Sequence, residues 1–468
     1  MSDTETLPAG YYGEGALVTD WSKYVDCNPD YYLRPQSLAE MQSLLTMIAQ
    51  GAFGDKQLRF LGGQHSCSDI FSSEVIVDPT GLPLEFDVQP LPGGGGQVTA
   101  SAFMHAHEFL KRAADSKLSL TALGGTDAQT MAGLISTNTA GATVHTTVYE
   151  GLQWVEYLAP GSDGTTFQTQ RISVGDASFN GIVASLGAVG FMTRVCFNLV
   201  PELYFTGEFK MVDLDTIVND LQAMCDTYEF WRFEWLPQDD KRCLRWTAVP
   251  YTPPDPSNPP DTGDYPLDTT EALLRELMEG NQMIFKSGPF TDKALALAYK
   301  AIGWLSQPMG ATGPMRNIIP CDRKADLQVT MAEWSFDPKD LPKVLDTCRS
   351  YFGANHWPNL PIEIECTKTD QFWMSPWNWP GLDYIVKLNF QYLTDFLDDA
   401  GKAKIAPHLD GMWKAFEAAG IPFKAHWGKL NSLDPDYVSK NYDAASFMPL
   451  VAPMFLNPYL QARLPQSR

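Results

Sequence analysis

Arg59-Phe-Leu-Gly-Gly-Gln-His65-Ser66-Cys-Ser-Asp69 ends an apolar, β-forming run with two adjacent glycines and sets a histidine and a serine directly behind them. Lacking a Cβ, Gly62 and Gly63 let backbone N–H groups approach an anionic group such as a pyrophosphate. Taken alone, the stretch also reads as a strand-end turn with a surface histidine. Its company changes the reading. Ala122-Leu-Gly-Gly-Thr-Asp-Ala-Gln-Thr-Met-Ala-Gly133-Leu-Ile-Ser-Thr-Asn-Thr-Ala-Gly141 is dominated by small residues and hydroxyls. A packed core needs volume, so this density suits backbone pressed against a flat or phosphate-bearing ligand, or a tight helix-to-strand crossover. Gly181-Ile-Val-Ala-Ser-Leu-Gly187-Ala-Val-Gly190-Phe-Met-Thr193-Arg-Val195 again sets glycines before a β run. Together the three read as one ligand site.

Outward from these segments the texture is α+β. Gln57 to Gly63, Ser73 to Asp78 and Gly96 to Ala102 are dense in β-forming residues and bounded by Gly, Pro or Asp, and Pro92 to Gly96 reads as a hairpin connection. Ser37 to Ile48 opens with a capping box, Ser37 followed by Glu40, and predicts a helix. Tyr251 to Pro266 holds six prolines and predicts an exposed loop. Beyond it, Thr269 to Lys286 and Asp292 to Leu305 read as helices, and Leu327 to Phe336 and Leu360 to Thr369 as strands.

Composition narrows the function classes. The chain has 468 residues, with 44% hydrophobic and 19% charged, which is globular composition with room for more than one compact unit. A net charge of −22 argues against sequence-independent nucleic-acid binding and against an anionic membrane surface. The eight cysteines are scattered without metal-ligand spacing, so reduced thiols and no metal are expected. The N-terminus lacks a basic region followed by an apolar one, and no stretch approaches the ~18 apolar residues of a membrane span, so a cytoplasmic location is expected.

In order and spacing, GGQHS at 62–66, ALGGTDAQTMAGLISTNTAG at 122–141 and SLGAVGFMTRV at 185–195 resemble the FAD-binding domain of the vanillyl-alcohol oxidase type (PCMH-type) flavoproteins. His426-Trp-Gly-Lys429 and Phe455-Leu-Asn-Pro-Tyr-Leu460 resemble the sugar-lactone and alditol oxidase branch, which contains gulonolactone and arabinonolactone oxidases. The resemblance implies an α+β fold: a two-part FAD-binding domain, residues 1–200 and 425–468, with an inserted α+β cap on an antiparallel sheet, residues 201–424. Flavin would be held by Gly62, Gly63, Gln64, His65, Ser66, Gly124, Gly125, Thr126, Thr130, Gly133, Ser136, Thr137, Thr139, Gly190 and Lys429. In that branch the motif histidine is bonded to the flavin, which implies a covalent FAD on His65. No cysteine lies between Cys67 and Cys196, where bicovalent relatives carry a second attachment, so a single link is expected.

Oxidising an alcohol carbon needs removal of a hydroxyl proton and transfer of a hydride to flavin N5. By resemblance, Lys429 would stabilise the developing negative charge. The segment Pro361-Ile-Glu363-Ile-Glu365 matches a Glu-x-Arg motif of the branch, but Glu365 stands where the arginine would be. Residues two apart on a strand share a face, so both glutamates are expected at the substrate. Two carboxylates there would share a proton or bind something cationic or rich in hydroxyl donors. That reading favours a polyol, sugar-like alcohol or amino-bearing alcohol over an aldonolactone, with oxygen or another electron acceptor. Asn389 and Gln391 share a face on a downstream strand and are further candidates for the substrate. Ala140 replaces a histidine common beside the flavin in relatives, leaving oxidase and dehydrogenase both open. A tailoring enzyme of specialised metabolism and a non-catalytic flavin-binding module are the alternatives. His105, His107 and His145 read as ordinary surface or loop histidines, and Trp373, Trp377 and Trp379 as pocket walls or core.

Overall fold

The computed structural model describes residues 17–238, 242–260, 309–319, 328–358, 360–394 and 397–465. The two helices expected between Thr269 and Leu305, and Cys321, lie outside the described residues. Residues 251–260 of the proline-rich run form turns without helix or strand, as their composition requires.

A hairpin of β1 (Val18–Thr19) and β2 (Asp26–Cys27) precedes a parallel trio, β3 (Tyr31–Leu33), β4 (Leu58–Phe60) and β5 (Val75–Val77), in the order β3-β5-β4. The central strand β5 is buried on both faces, hence its unbroken apolar run; Val75, Ile76 and Val77 have no solvent exposure. Helix α1 (Leu38–Ala49) makes the crossover, with the Ser37 side chain accepting from the Glu40 amide. The Glu40 carboxylate closes on the Gln36 amide at 2.7 Å, one residue earlier than the expected box.

Next comes an antiparallel sheet of β6 (Phe86–Pro90), β7 (Gly96–Ser101), β8 (Leu118–Ser119), β9 (Leu152–Pro160), β10 (Phe167–Ser173) and β11 (Phe191–Pro201). Its order is β10-β9-β11-β7-β6, with β8 beside β11, and the glycine run after Pro92 does form the β6–β7 hairpin. Helices α2 (Ala106–Asp115) and α3 (Met131–Ser136) are laid in the connections.

The third sheet is wholly antiparallel: β12 (Tyr204–Asp213), β13 (Phe230–Trp235), β14 (Arg242–Pro250), β15 (Met309–Pro314), β16 (Val329–Phe336), β17 (Ile362–Lys368), β18 (Tyr384–Leu393) and β19 (Phe423–Ala425), ordered β15-β12-β14-β13-β17-β18-β16-β19. Side chains alternate across it. Trp334, Phe336 and Phe390 pack on helices Leu341–Ala354 and Ile405–Ala418, where Trp334 meets Trp413 edge-on at 5.8 Å and Phe390 lies 6.2 Å from Phe352. The alternate positions Glu333, Lys387 and Asn389 are polar, buried, and turned the other way.

The chain end returns to the first segments. Asn457 Nδ2 donates to the carbonyls of Asp69, Ile70 and Ser72, and the Cys67 amide donates to the Gly428 carbonyl at 2.8 Å. The described cysteines are free thiols, and among the described residues no helix is long and apolar enough to cross a membrane.

Candidate active site

A cavity of about 360 Å³ lies between the glycine-rich segments and the polar face of the third sheet. Its size and mixed lining suit a small molecule. Gly62, Gly63, Gln64, His65 and Ser66 follow β4 onto its wall, joined by Gly125, Thr126, Thr130, Gly133, Ser136, Thr137, Thr139, Ala140 and Gly190. Close approach of backbone explains two glycines: a Cβ on Gly63 would enter the Ala128 carbonyl, and one on Gly190 the Leu158 carbonyl. Gly124 is the exception among the expected cofactor residues. It is absent from the lining and packs against the Thr139 methyl group, so its small size serves packing. Thr130 caps α3, accepting from the Gly133 amide at 3.1 Å.

His65 stacks on Trp21, ring centroids 5.2 Å apart. Burial, then the positive charge of Lys429, pushes its imidazole down to about 4, so the ring is neutral at physiological pH. Gln64 precedes it with φ 58°, a left-handed backbone that a non-glycine residue adopts at a cost.

Arg59, the first residue of the opening stretch, is buried in the same wall. Its Nη1 donates to the Gly187 and Phe455 carbonyls at 3.1 and 2.9 Å and its Nη2 to the Leu186 carbonyl at 2.5 Å. It thereby pins a loop in which Ala184, Leu186 and Gly187 all have positive φ. Its Nε is buried without a partner among the described residues, and burial draws its pKa down to about 10. A guanidinium with no carboxylate beside it among the described residues, set among glycines, is a donor set that fits a phosphate-bearing cofactor.

The opposite wall is a grid set by strand register. On β17 Glu363 pairs with Glu234 of β13 on one side and Asn389 of β18 on the other; Glu365 pairs with Lys387 of β18, which is followed along the same face by Asn389 and Gln391. Glu333 of β16 lies opposite Asn389. All of these line the cavity, as do Arg232 and Arg316. Arg232 Nε meets Glu365 Oε1 at 2.5 Å and its Nη1 meets Glu363 Oε1 at 3.0 Å. Lys387 Nζ bridges Glu365 Oε2 at 2.8 Å and Glu333 Oε1 at 3.1 Å. Asn389 Nδ2 donates to Glu363 Oε2 at 2.9 Å. Burial would raise Glu365, but Arg232 and Lys387 outweigh it and pull the carboxyl down to about 2. Burial acts likewise on Glu333, and Lys387 again wins and lowers it.

This geometry corrects the expectation for Glu363 and Glu365. They do share a face, but they neither share a proton nor await a cation, because Arg232 and Lys387 already neutralise them. The guanidinium missing from position 365 is supplied by the neighbouring strand.

The segment after β19 closes the cavity. The His426 amide donates to the Glu333 carbonyl, Trp427 Nε1 to the Met374 carbonyl, and the Gly428 amide to His426 Nδ1 at 3.1 Å. His426 is drawn down to about 4 by burial and the charges of Lys429 and Lys387, against Glu333. Lys429 lines the cavity beside the His65 loop, which its neighbour Gly428 holds through the Cys67 amide.

The remaining candidates have plain roles. His105 Nδ1 contacts the Ala128 carbonyl at 2.7 Å and its ring stacks on His107, and His145 Nε2 contacts the Cys225 carbonyl at 3.0 Å. Trp377 is core, donating from Nε1 to the Asn138 carbonyl, while Trp379 donates to Ser335 Oγ. Sequence reading missed Arg59, Arg232, Glu234, Glu333 and Lys387. The signal for Lys387 was present, since it shares the two-residue period of Asn389 and Gln391; Arg232 and Glu234 alternate in the same way with Trp231, Phe233 and Trp235.

Comparison with known proteins agrees with this architecture. The sequence profile described as D-arabinono-1,4-lactone oxidase matches residues 195–448. A D-arabinono-1,4-lactone oxidase of Candida albicans is 23% identical over 390 residues, 78% of this chain and 68% of that one. An L-gulonolactone oxidase of Scyliorhinus torazame is 21% identical over 471 residues, 96% of this chain and 98% of that one. The chain spans about half the length of several other curated relatives that it matches. Among solved structures, one titled solvent-stable cholesterol oxidase superposes with a TM-score of 0.76 at 14% identity, over 98% of both chains, a likeness of fold.

Proposed function

The chain belongs to the D-arabinono-1,4-lactone oxidase family, and from that premise we propose that it is an FAD-dependent oxidoreductase that oxidises a hydroxyl-bearing carbon of an aldonolactone. Residues 1–200 and 425–468 would hold the FAD and residues 201–424 would form the cap. The observation that carries the substrate class is the pairing of Arg232 with Glu363 and Glu365 on the cavity wall. It returns to the site the cation whose apparent loss argued against a lactone, and it leaves a wall suited to a neutral, polyhydroxylated ligand.

The donor set fits FAD: glycines that admit backbone approach, the hydroxyls of Thr130, Ser136, Thr137 and Thr139, and the buried Arg59. When bound, FAD supplies the acceptor for the hydride equivalent removed from the substrate carbon. This chain's own residues do the rest. Arg232, Asn389 and Gln391 present donors to the lactone and its hydroxyls, and Lys429 offers a positive charge to the oxygen that loses its proton. Glu365 and Lys387, locked to one another, hold Arg232 in place. His65, neutral and on the cavity wall, is in the protonation state that a covalent histidyl link requires, and oxygen is the acceptor we assign to the half-reaction that follows.

Two measurements test this reading. Acid denaturation followed by absorbance and intact mass should leave an FAD-sized adduct on the chain. Oxygen consumption should rise with aldonolactones and stay near background with alditols and amino alcohols; the reverse preference would refute the lactone assignment.

A further inference from the structure

The connection between β17 and β18, Asp370-Gln-Phe-Trp-Met-Ser-Pro-Trp377, carries a polar cluster that lies off the cavity. Asn138, from the small-residue segment, reaches into it. Its Nδ2 donates to Asp370 Oδ2 at 2.9 Å and to Ser375 Oγ at 2.5 Å, and Ser375 Oγ donates to Asp370 Oδ2 at 2.7 Å. The Phe372 amide donates to Asp370 Oδ1 at 3.1 Å, and the Trp377 amide to Ser375 Oγ at 2.9 Å. In return, Trp377 Nε1 donates to the Asn138 carbonyl at 2.8 Å. Burial pushes the Asp370 carboxyl up to about 6, opposed by the donors Asn138, Ser375 and Phe372 and by the charge of Lys424. Asn138 and Ser375 have no solvent exposure, so these bonds are made away from water.

The cluster ties together pieces that face one another across the cavity. Asn138 stands at φ 56° between Thr137 and Thr139, which line the cavity with Ser136 and Ala140. The connection that it grips joins the strand of Glu363 and Glu365 to the strand of Lys387, Asn389 and Gln391. The same connection receives Trp427 Nε1 on the Met374 carbonyl at 2.8 Å, just ahead of Lys429. We propose that Asp370 is a positioning residue: through Asn138 it sets the spacing between the cavity wall at 136–140 and the β17–β18 wall opposite, and with it the distance over which hydride leaves the substrate carbon for the flavin. The inference rests on the flavin-oxidase reading above. Hydride transfer needs its reacting atoms held about 3–3.5 Å apart, and a misplacement of about 1 Å costs about 10²-fold. A left-handed backbone at a non-glycine residue is costly, and the bonds to Asp370, Ser375 and Trp377 hold Asn138 in it.

Stopped-flow reduction of the FAD-loaded protein by D-arabinono-1,4-lactone at pH 8, where Asp370 is charged, tests the role. Asp370→Asn keeps the shape and removes the charge; it should lower the limiting rate per bound flavin about 10–10²-fold and leave the half-saturating lactone concentration within about twofold. Asn138→Gly keeps the left-handed backbone and drops the amide, and should do the same. The double variant should fall no further than the slower single variant, because both remove one contact. Gln371→Ala, exposed on the same connection, should match the parent protein. Visible circular dichroism of the bound flavin should change in Asp370→Asn and Asn138→Gly and stay unchanged in Gln371→Ala. Variants that load less FAD or melt earlier, yet keep the parent rate per bound flavin and the parent dichroism, overturn the proposal. A raised half-saturating concentration with an unchanged limiting rate overturns it too. A parent protein that binds FAD but is not reduced by the lactone sinks the substrate reading instead, and the dichroism of the variants then decides the role of Asp370.

Discussion

Arg232 and Glu365 face one another from neighbouring antiparallel strands, Nε to Oε1 2.5 Å apart, Glu365 buried and Arg232 mostly so, both on the wall of a cavity. The guanidinium of this site is thus carried by β13, while its partner Glu365 stands on β17. Because Lys387 holds the other oxygen of Glu365, the carboxylate is fixed from both sides. The pairing rigidifies the wall, and several consequences can be measured.

Removing one member of this network leaves its partner buried and uncompensated. Arg232→Met should destabilise the protein by about 3–5 kcal/mol, since Glu363 and Glu365, side by side on one face of β17, then lose the guanidinium they share. The double variant Arg232→Met/Glu365→Gln should recover part of that loss. Urea unfolding of the two single variants and the double variant, analysed as a cycle, measures the coupling.

Acid should unpick the same pair. The Glu365 carboxyl sits at about 2 in the folded protein against an ordinary 4.5, so the unfolded chain binds more protons between these values. Its contribution is complete above pH 4.5 and is lost as pH falls toward 2. The stability gap between the parent protein and Glu365→Gln should close across that window. His408 and His426, both near 4 in the fold against 6.5, act in the same direction at higher pH, eroding stability as pH falls from 6.5 to 4. Unfolding midpoints taken at stepped pH check both limbs.

The flavin link and the nearby charge separate cleanly. His65→Ala should yield protein from which all flavin is released by acid, whereas Lys429→Met should keep the adduct and lose about 10²–10³-fold in kcat, the range for removing one charge-stabilising donor. Covalent flavin surviving in His65→Ala would refute the assignment of the link.

Two neighbouring positions of the opening stretch should respond in opposite ways. Gly63→Ala drives a methyl group into the Ala128 carbonyl and should cost flavin loading together with stability. Gln64→Gly relieves the left-handed backbone at φ 58°. After the entropy that glycine adds to the unfolded chain, it should stabilise by up to about 1 kcal/mol. Thermal unfolding and the flavin-to-protein absorbance ratio report both.

Much of the glycine-rich cavity wall was legible in the chain. A serine cap followed by Glu40, a glycine run after Pro92 and a glycine pair after Phe60 act through nearest neighbours, so their helix, hairpin and turn follow from local rules. Gly124 lies off the cavity lining because packing against a threonine methyl, like lining a cavity, requires a small residue. The substrate side misled because Glu363 and Glu365 were read on one strand. Alternation shows that they share a face, but what stands opposite them depends on the pairing of β17 with β13 and β18.

Local chemistry along the chain was therefore enough for the α+β class, the family resemblance and the glycine-lined wall of the cavity, since each rests on short-range backbone and side-chain preferences. Tertiary structure decided the charge state of the other wall. Electrostatic interaction depends on distance in space and on exclusion of water. Strand pairing alone brings Arg232, Glu365, Lys387 and Glu333, far apart in the chain, within ion-pair distance in a buried row.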